Sequence, residues 1–334
     1  MDTTSPETAA RNDTVAVTGG SGFVGGHLVS ALAGQGKKVV VVDLDEPSPE
    51  LAALPGVSYR RADLRDYGET LLALRGVDTV FHLAGNASGT RSVQYPRFDF
   101  QINGLGTCHV GNACVEMGVR RLVYMSSAIV YGTPQRYPID EEHPTRPFLP
   151  YGASKFSGEL TLRSLHEAVG LSVVMGRCFV IYGPGEDPRT AGGEVSQFMR
   201  WQLNDLPIPV VGDIDRKTRD FVHVSDVCAA LIAMAENGVP GEAYNIGSGT
   251  ETSMRQLADA VATATGRPAR LKADTSQMED SFRLVADISK LRGIGYRPAV
   301  TLAQGLESLA GALGPFPELP TATVAFRREA VEQT

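Results

Sequence analysis

Proton transfer near neutral pH is the chemistry suggested by three side chains in the middle of the chain. Tyr151 and Lys155 are four residues apart, and Ser127 directly follows the predicted strand 121–126. A spacing of four places two side chains on one face of a helix. A tyrosine titrates at about pH 10, and a nearby lysine, like the positive ring of an oxidised nicotinamide, favours its phenolate form. Tyr151 could then take a proton from a substrate hydroxyl while Ser127 holds the oxygen.

Three glycines at a spacing of three suggest where a nicotinamide dinucleotide would bind. Gly19, Gly22 and Gly25 follow the apolar run 15–17 and precede a helical pattern of apolar residues. In a strand, turn and helix of this kind, the first glycine allows the tight turn, the second the close approach of a pyrophosphate, and the third the packing of helix on strand. The free N–H groups at the helix N-terminus favour an anion. The alternative is a glycine-rich turn in some other α/β protein.

An acidic residue follows the second strand. Four valines within 37–43 predict a buried strand that ends at Asp43, about 20 residues past the turn, where a carboxylate can bind the ribose hydroxyls. Asp43 and Asp45 would repel a 2′-phosphate, and no arginine follows directly. We therefore expect NAD in preference to NADP. The alternative for Asp43 is a polar strand end with no role in binding.

Alternating apolar strands and helices predict an α/β fold, a Rossmann-type doubly wound parallel sheet with a smaller C-terminal α/β substrate-binding lobe. The expected strands are 15–17, 37–43, 57–60, 79–83, 121–126, 171–175 and 243–246, and the expected helices include 98–117, 151–169, 195–204, 253–265 and 301–313. The alternation breaks down after residue 183. We expect residues 13–182 with 219–247 to form the NAD-binding domain, 183–218 with 248–313 the lobe, and 1–12 and 314–334 tails.

Composition excludes several classes of protein. The 334 residues carry a net charge of −7, which argues against binding nucleic acid or an anionic membrane. The four cysteines show no metal-ligand spacing, so we expect no metal site and free thiols in a reducing compartment. The N-terminal residues lack the apolar core of a signal peptide. We expect a cytoplasmic protein without a membrane span.

The sequence resembles the extended short-chain dehydrogenase/reductase family, in its branch of nucleotide-sugar epimerases and dehydratases. The resemblance rests on the glycine turn and on the stretches His82-Leu83-Ala84, Ser126 to Gly132, Tyr151 to Lys155, Arg177 to Pro184, Arg219-Asp220-Phe221 and Tyr244 to Gly247. It implies a tightly bound NAD, a nucleoside-diphosphate sugar as substrate, a lobe that closes over it, and a homodimer built on helices 98–117 and 151–169. It also implies that Arg219 binds the diphosphate; the alternative is that Arg219 pairs with Asp220 or a surface acid.

Site residues follow from these motifs. We expect Ser127, Tyr151 and Lys155 to be catalytic and Asp63 to bind the adenine amino group. The expected cofactor-binding residues are Gly19, Gly22, Phe23, Val24, Asp43, Asp63, Leu64, Leu83, Ala84, Tyr151 and Lys155, and the expected substrate-binding residues are Ser88, Ser127, Tyr151, Val180 and Arg219. Val180 stands where relatives commonly carry a substrate-binding asparagine, and the 212–219 loop also departs from the family pattern.

The two residues after Ser127 help to choose between epimerisation and elimination. Sugar 4,6-dehydratases of this branch usually carry Asp-Glu there to protonate the leaving hydroxyl, whereas this chain has Ala128 and Ile129. The resemblance therefore favours NAD-dependent epimerisation, most readily at C4, through a transient 4-keto sugar. The alternatives are a dehydratase with its acids elsewhere, a ketoreductase or dehydrogenase with exchangeable cofactor, and a non-catalytic NAD-binding regulator.

Overall fold

The structure, a computed structural model, describes residues 13–189, 193–274 and 282–320. Its strands are β1 Thr14–Thr18, β2 Lys38–Asp43, β3 Val57–Arg61, β4 Thr79–His82, β5 Arg121–Ser127, β6 Val173–Cys178, β7 Val180–Tyr182, β8 Ile208–Val210, β9 Thr218–His223, β10 Ala243–Ile246, β11 Glu251–Ser253, β12 Leu271–Ala273 and β13 Arg283–Leu284. Its α-helices are α1 Phe23–Gly34, α2 Pro49–Ala52, α3 Tyr67–Ala73, α4 Gly89–Gln94, α5 Pro96–Phe100, α6 Thr107–Met117, α7 Pro150–Val169, α8 Glu194–Leu203, α9 Val224–Asn237, α10 Met254–Thr265, α11 Ser289–Gly293 and α12 Leu302–Leu313.

Seven parallel strands form the central sheet in the order β10-β6-β5-β4-β1-β2-β3. Continuous apolar runs such as the valines of β2 are buried because helices cover both faces of the sheet. Side chains of α1 and α9 pack on one face, and side chains of α3, α6 and α7 pack on the other. The strand order reverses between β1 and β4, the point at which ligands bind to such sheets. This is the Rossmann-type doubly wound sheet that the sequence predicts.

The strands outside the central sheet form two smaller sheets. Strands β7, β11 and β13 all pair with β9 in a four-stranded sheet, and β8 pairs with β12. Helices α8, α10 and α12 enclose a separate apolar core with Phe221 of β9. The predicted boundaries place β7 and β9 in the larger domain. Both strands pair here with one another and β9 also with β11 and β13, while Val222 of β9 packs in the core of the central sheet. The domain boundaries stay a prediction.

Local signals predict several elements closely. The helix predicted over 253–265 is α10, which begins with a capping box of Ser253 and Gln256. The predicted helix over 98–117 differs from the structure, because a π-helical segment, Gln101–Gly106, separates α5 from α6. The predicted tail 1–12 and the part of the other tail beyond residue 320 lie outside the described residues. Within the described ranges, no helix combines the length and apolar character needed to cross a bilayer.

Candidate active site

The glycine turn follows β1 and lies against the residues after the carboxyl end of β4. Gly19 has a positive φ of 71°, and a Cβ there would lie 2.7 Å from the backbone nitrogen of Ala84. A Cβ on Gly25 would lie only 2.0 Å from the Gly19 carbonyl oxygen, so the first turn of α1 packs directly on the turn. Phe23 and Val24 begin α1 directly after this turn, and Leu83 and Ala84 lie against Gly19.

An anionic group fits the start of α1. Gly22 is the N-cap, and within the described ranges no side chain caps α1 and no acid occupies its first turn. A Cβ on Gly22 would meet only the Gly19 carbonyl oxygen, at 3.3 Å, so the space in front of the helix is open. The backbone donors of the first turn are thus available to a pyrophosphate. These features are consistent with the cofactor-binding roles predicted for the turn.

Asp43 is held beside the glycine turn. Its Oδ2 accepts a hydrogen bond from the Ser21 backbone N–H at 3.0 Å, and its Oδ1 accepts one from the Leu44 N–H at 2.7 Å. Oδ1 also accepts a longer hydrogen bond from the Asp45 N–H at 3.4 Å, whereas Oδ2 has a second acceptor position for a ribose hydroxyl. The geometry is consistent with the predicted ribose contact.

Asp63 is already engaged by a neighbouring arginine. Arg65 Nε donates to both of its carboxylate oxygens, at 2.9 and 3.0 Å, and this interaction lowers the pKa of Asp63. The next residue, Leu64, is buried, and its carbonyl oxygen accepts from His109 Nδ1 at 2.9 Å. An adenine contact from Asp63 would share the carboxylate with Arg65. The cofactor-binding roles of Asp63 and Leu64 stay predictions.

The structure brings together the three predicted catalytic residues. Ser127 ends β5, and Tyr151 and Lys155 lie one helical turn apart near the start of α7, which packs against β5. Ser127 lies close enough to Tyr151 for its hydroxyl to lower the pKa of the phenol. Lys155 Nζ donates to the Met125 carbonyl oxygen at 2.9 Å and lies 5.2 Å from the centre of the Tyr124 ring.

Burial dominates the electrostatics of this group. Desolvation raises the pKa of Tyr151 to about 12, although Ser127 opposes the shift. Desolvation also lowers the pKa of Lys155 to about 8, against the pull of acidic groups that include Asp99. Burial of the phenol therefore outweighs the effect of Ser127 in the chain without cofactor. The stabilisation of the phenolate by Lys155 stays a prediction. Tyr151 needs further positive charge beside it to act as a base at neutral pH.

A buried carboxylate behind Tyr151 was missed from the sequence. Asp99 accepts hydrogen bonds from Ser154 at 2.6 Å, Asn86 at 2.7 Å and Asn103 at 3.1 Å. Asn103 lies in the π-helical segment, a conformation often found at functional sites. The network fixes the loop after β4 against α7. His82 is a buried, packed residue whose ring nitrogens contact the hydroxyls of Thr18 and Thr107.

The predicted substrate residues lie on separate elements. Ser88 caps α4, its hydroxyl accepting from the Arg91 N–H at 3.1 Å. Val180 begins β7 and is partly buried, and a Cβ on Gly193 would lie 3.0 Å from its Cγ1. Arg219 lies on β9 and is only 4% exposed. The geometry leaves all three roles as predictions.

Arg219 has a different acidic partner from those considered in the sequence analysis. Its Nε lies 3.2 Å from Oε1 of Glu194, at the start of α8. Its Nη1 donates to the carbonyl oxygens of Phe282 at 2.8 Å and Thr218 at 3.0 Å. Asp220 instead accepts from Ser248 and other groups around it. Adjacent residues of a strand point to opposite faces, so Asp220 cannot reach the Arg219 guanidinium.

We predict that Gly25→Ala abolishes retention of a dinucleotide. The new methyl would overlap the Gly19 carbonyl oxygen, so the turn must shift, at a cost of about 1–3 kcal/mol. The dinucleotide content of the purified protein, measured by absorbance and enzymatic assay, should fall by about tenfold or more. The matched control is Gly26→Ala in the same helix, whose methyl would meet its nearest atom at 3.9 Å. Equal dinucleotide contents in the two variants would contradict the assignment.

Comparison with known proteins agrees with this geometry. Residues 15–247 match the model of the NAD dependent epimerase/dehydratase family. The UDP-glucose 4-epimerase of Mycolicibacterium smegmatis is 35% identical over 299 residues, covering 87% of this chain and 95% of the relative. A dTDP-glucose 4,6-dehydratase of an Actinoplanes species is 33% identical over 316 residues, with coverage of 87% and 95%. The crystal structure of Thermus thermophilus UDP-glucose 4-epimerase with NAD matches with a TM-score of 0.81 and 32% identity, covering 90% of this chain and 98% of that one.

Proposed function

Because this chain belongs to the NAD-dependent epimerase/dehydratase family, we propose that it is an NAD-dependent epimerase that inverts C4 of a nucleoside-diphosphate sugar. The observation that carries the proposal is the grouping of Ser127, Tyr151 and Lys155 at the sheet edge that also bears the glycine turn. The similarity to UDP-glucose 4-epimerases over nearly the whole chain supports it. A regulator that only binds NAD has no use for such a proton-transfer group.

The cofactor would be held by the glycine turn, the start of α1 and Asp43. When bound, NAD would supply a positively charged hydride acceptor for C4 of the sugar and, once reduced, a hydride donor for the same carbon. The first-turn N–H groups of α1 would bind its pyrophosphate, and Asp43 its adenosine ribose. Lys155 would hold the nicotinamide ribose.

Tyr151 would carry the proton. Its phenolate would take the proton of the C4 hydroxyl, and the phenol would return a proton to the same oxygen when the sugar is reduced. The Ser127 hydroxyl would donate a hydrogen bond to that oxygen and hold it in place as the carbonyl forms. Lys155, with a pKa of about 8, keeps most of its positive charge at pH 7 and stabilises charge on the phenolate.

The second candidate is a dehydratase, which the similarity to dTDP-glucose 4,6-dehydratases supports. Elimination needs an acid for the leaving hydroxyl, yet Ala128 and Ile129 follow Ser127 in a 3₁₀ turn. Asp99 is buried, and its carboxylate oxygens are occupied as acceptors by Ser154, Asn86 and Asn103. Epimerisation needs no second acid and therefore fits these residues better.

Incubation of the purified protein with UDP-, dTDP- and GDP-sugars in deuterated water, without added cofactor, separates the candidates. We expect interconversion of C4 epimers with no uptake of deuterium, because the hydride stays within the enzyme. Loss of water with deuterium at C5 would identify a dehydratase and overturn the proposal. Turnover only after addition of NADH or NADPH would identify a reductase. Nuclear magnetic resonance of the products gives all three outcomes.

We further propose that the protein forms a homodimer. Several apolar side chains on the segment from α5 to α7 are exposed, including Phe100, Leu105, Val115 and Leu160. Exposed apolar side chains grouped on neighbouring helices are commonly covered by a partner. These helices are those for which the family resemblance implies dimerisation.

We also propose that the protein acts in the cytoplasm. The four cysteines are free, and Cys114, Cys178 and Cys228 are buried. Free buried thiols are typical of a reducing compartment.

A further inference from the structure

Two cations share one carboxylate at the beginning of β9. Glu194 Oε1 lies 3.2 Å from Arg219 Nε and 3.5 Å from Lys217 Nζ. Lys217 and Arg219 are only 6% and 4% exposed. Burial alone would raise the pKa of Glu194, but the two cations lower it below its ordinary value. Glu194 is therefore an anion held between two buried cations.

The cluster lies next to a cavity through two neighbours of Arg219, although its own three charged side chains are not in the cavity wall. The Arg219 guanidinium lies 4.9 Å from the centre of the Phe282 ring, and Phe282 packs edge-on against Phe148, close to Tyr151. A cavity of about 540 Å³ has Thr218 and Phe282, the two carbonyl partners of Arg219, in its wall. A cavity of this size can hold a small-molecule ligand.

Resting on the proposed function, we infer that Lys217 is a second diphosphate-binding cation and that Glu194 is an internal counterion which the diphosphate of the substrate replaces. A carboxylate and a phosphate accept the same charge-assisted hydrogen bonds from arginine and lysine. Glu194 keeps the two cations paired before substrate binds, which avoids an uncompensated buried charge. The diphosphate brings more negative charge and more acceptor oxygens, so it can take over both partners.

Displacement of Glu194 sets the affinity for the diphosphate. The carboxylate competes for Lys217 and Arg219, and after displacement it remains near the bound anion. Glu186 is close enough to Glu194 for the two carboxyls to repel each other; burial mainly, and Glu194 to a smaller extent, raise the pKa of Glu186 to about 7. Substrate binding is therefore weaker than two buried cations alone would give, which favours release of the product.

Isothermal titration of the holoenzyme with UDP and with dTDP tests this inference. We expect Glu194→Gln to bind the preferred nucleotide about tenfold more tightly, because the competing charge is gone. We expect Lys217→Gln to bind it about tenfold more weakly, because one charge-assisted contact is lost. Lys217→Arg should restore most of the affinity, which a purely structural role for Lys217 would not require.

The exposed pair of Lys290 and Glu242, 2.7 Å apart, provides matched controls. Lys290→Gln and Glu242→Gln make the same chemical changes away from the cluster and should leave the affinity unchanged. Thermal unfolding checks each variant, and the two Lys217 variants decide the question if Glu194→Gln does not fold. Nucleotide binding to the wild type with unchanged affinity in folded Lys217→Gln would overturn this inference alone. Failure of both nucleotides to bind the wild type would overturn the proposed function as well.

Discussion

Tyr151→Phe should lower the turnover number for C4 epimerisation by about 10³-fold while NAD stays bound. The substitution removes only the phenolic oxygen, and general acid–base catalysis contributes about 10²–10⁴-fold. The backbone N–H of residue 151 still donates to Ser92 at 3.0 Å, so the start of α7 should keep its position. Steady-state rates and the NAD content of the purified variant measure the two parts of the prediction.

The pH profile distinguishes a base from a residue that only shapes the site. Burial raises the pKa of Tyr151, so the phenol is protonated and inactive at low pH and becomes an active phenolate as the pH rises. The wild-type value of kcat/KM should therefore increase with pH, and the residual activity of Tyr151→Phe should lose this increase. Tyr67→Phe, which removes a hydroxyl bonded to Glu116 on the protein surface, is the matched control. A variant that keeps a tenth of the wild-type rate with the same pH profile would show that another group is the base.

The sequence predicts the parts of the site that depend on short-range patterns. The glycine turn, the acidic end of β2 and the spacing of Tyr151 and Lys155 each lie within one strand, turn or helix. The parallel order of the sheet follows because alternating strands and helices connect with one handedness. The capping box at Ser253 is likewise a signal within four residues.

Contacts between distant segments are what the sequence did not predict. Glu194 meets Arg219 across 25 positions, and no local periodicity relates an acid at a helix start to a cation in a later strand. Likewise, β7 pairs with β9 outside the central sheet, and a later strand, β10, occupies the edge beside β6. The raised pKa of Tyr151 has the same origin, since it depends on how completely the folded chain encloses the phenol.

A buried ion pair between α7 and β6 is another such long-range contact, with the largest expected effect on stability. Arg177 Nη2 lies 2.7 Å from Glu159 Oε2, and the two side chains are 4% and 2% exposed. Arg177 also donates to the Tyr131 hydroxyl at 3.0 Å, and Ser126 donates to Glu159 at 2.5 Å. The pair thus fastens the helix that carries Tyr151 to the strands beside Ser127.

We predict that Glu159→Ala lowers the free energy of unfolding by about 3–5 kcal/mol, because it leaves the Arg177 guanidinium buried without its counterion. Urea unfolding measures the loss. Glu242→Ala, which breaks the exposed pair with Lys290, should cost less than about 1 kcal/mol. The double substitution Glu159→Leu with Arg177→Met should recover much of the stability, since it removes both charges from the interior. Equal losses from Glu159→Ala and Glu242→Ala would show that water or a rearranged side chain compensates Arg177, and the pair would then not be what holds α7 against the sheet.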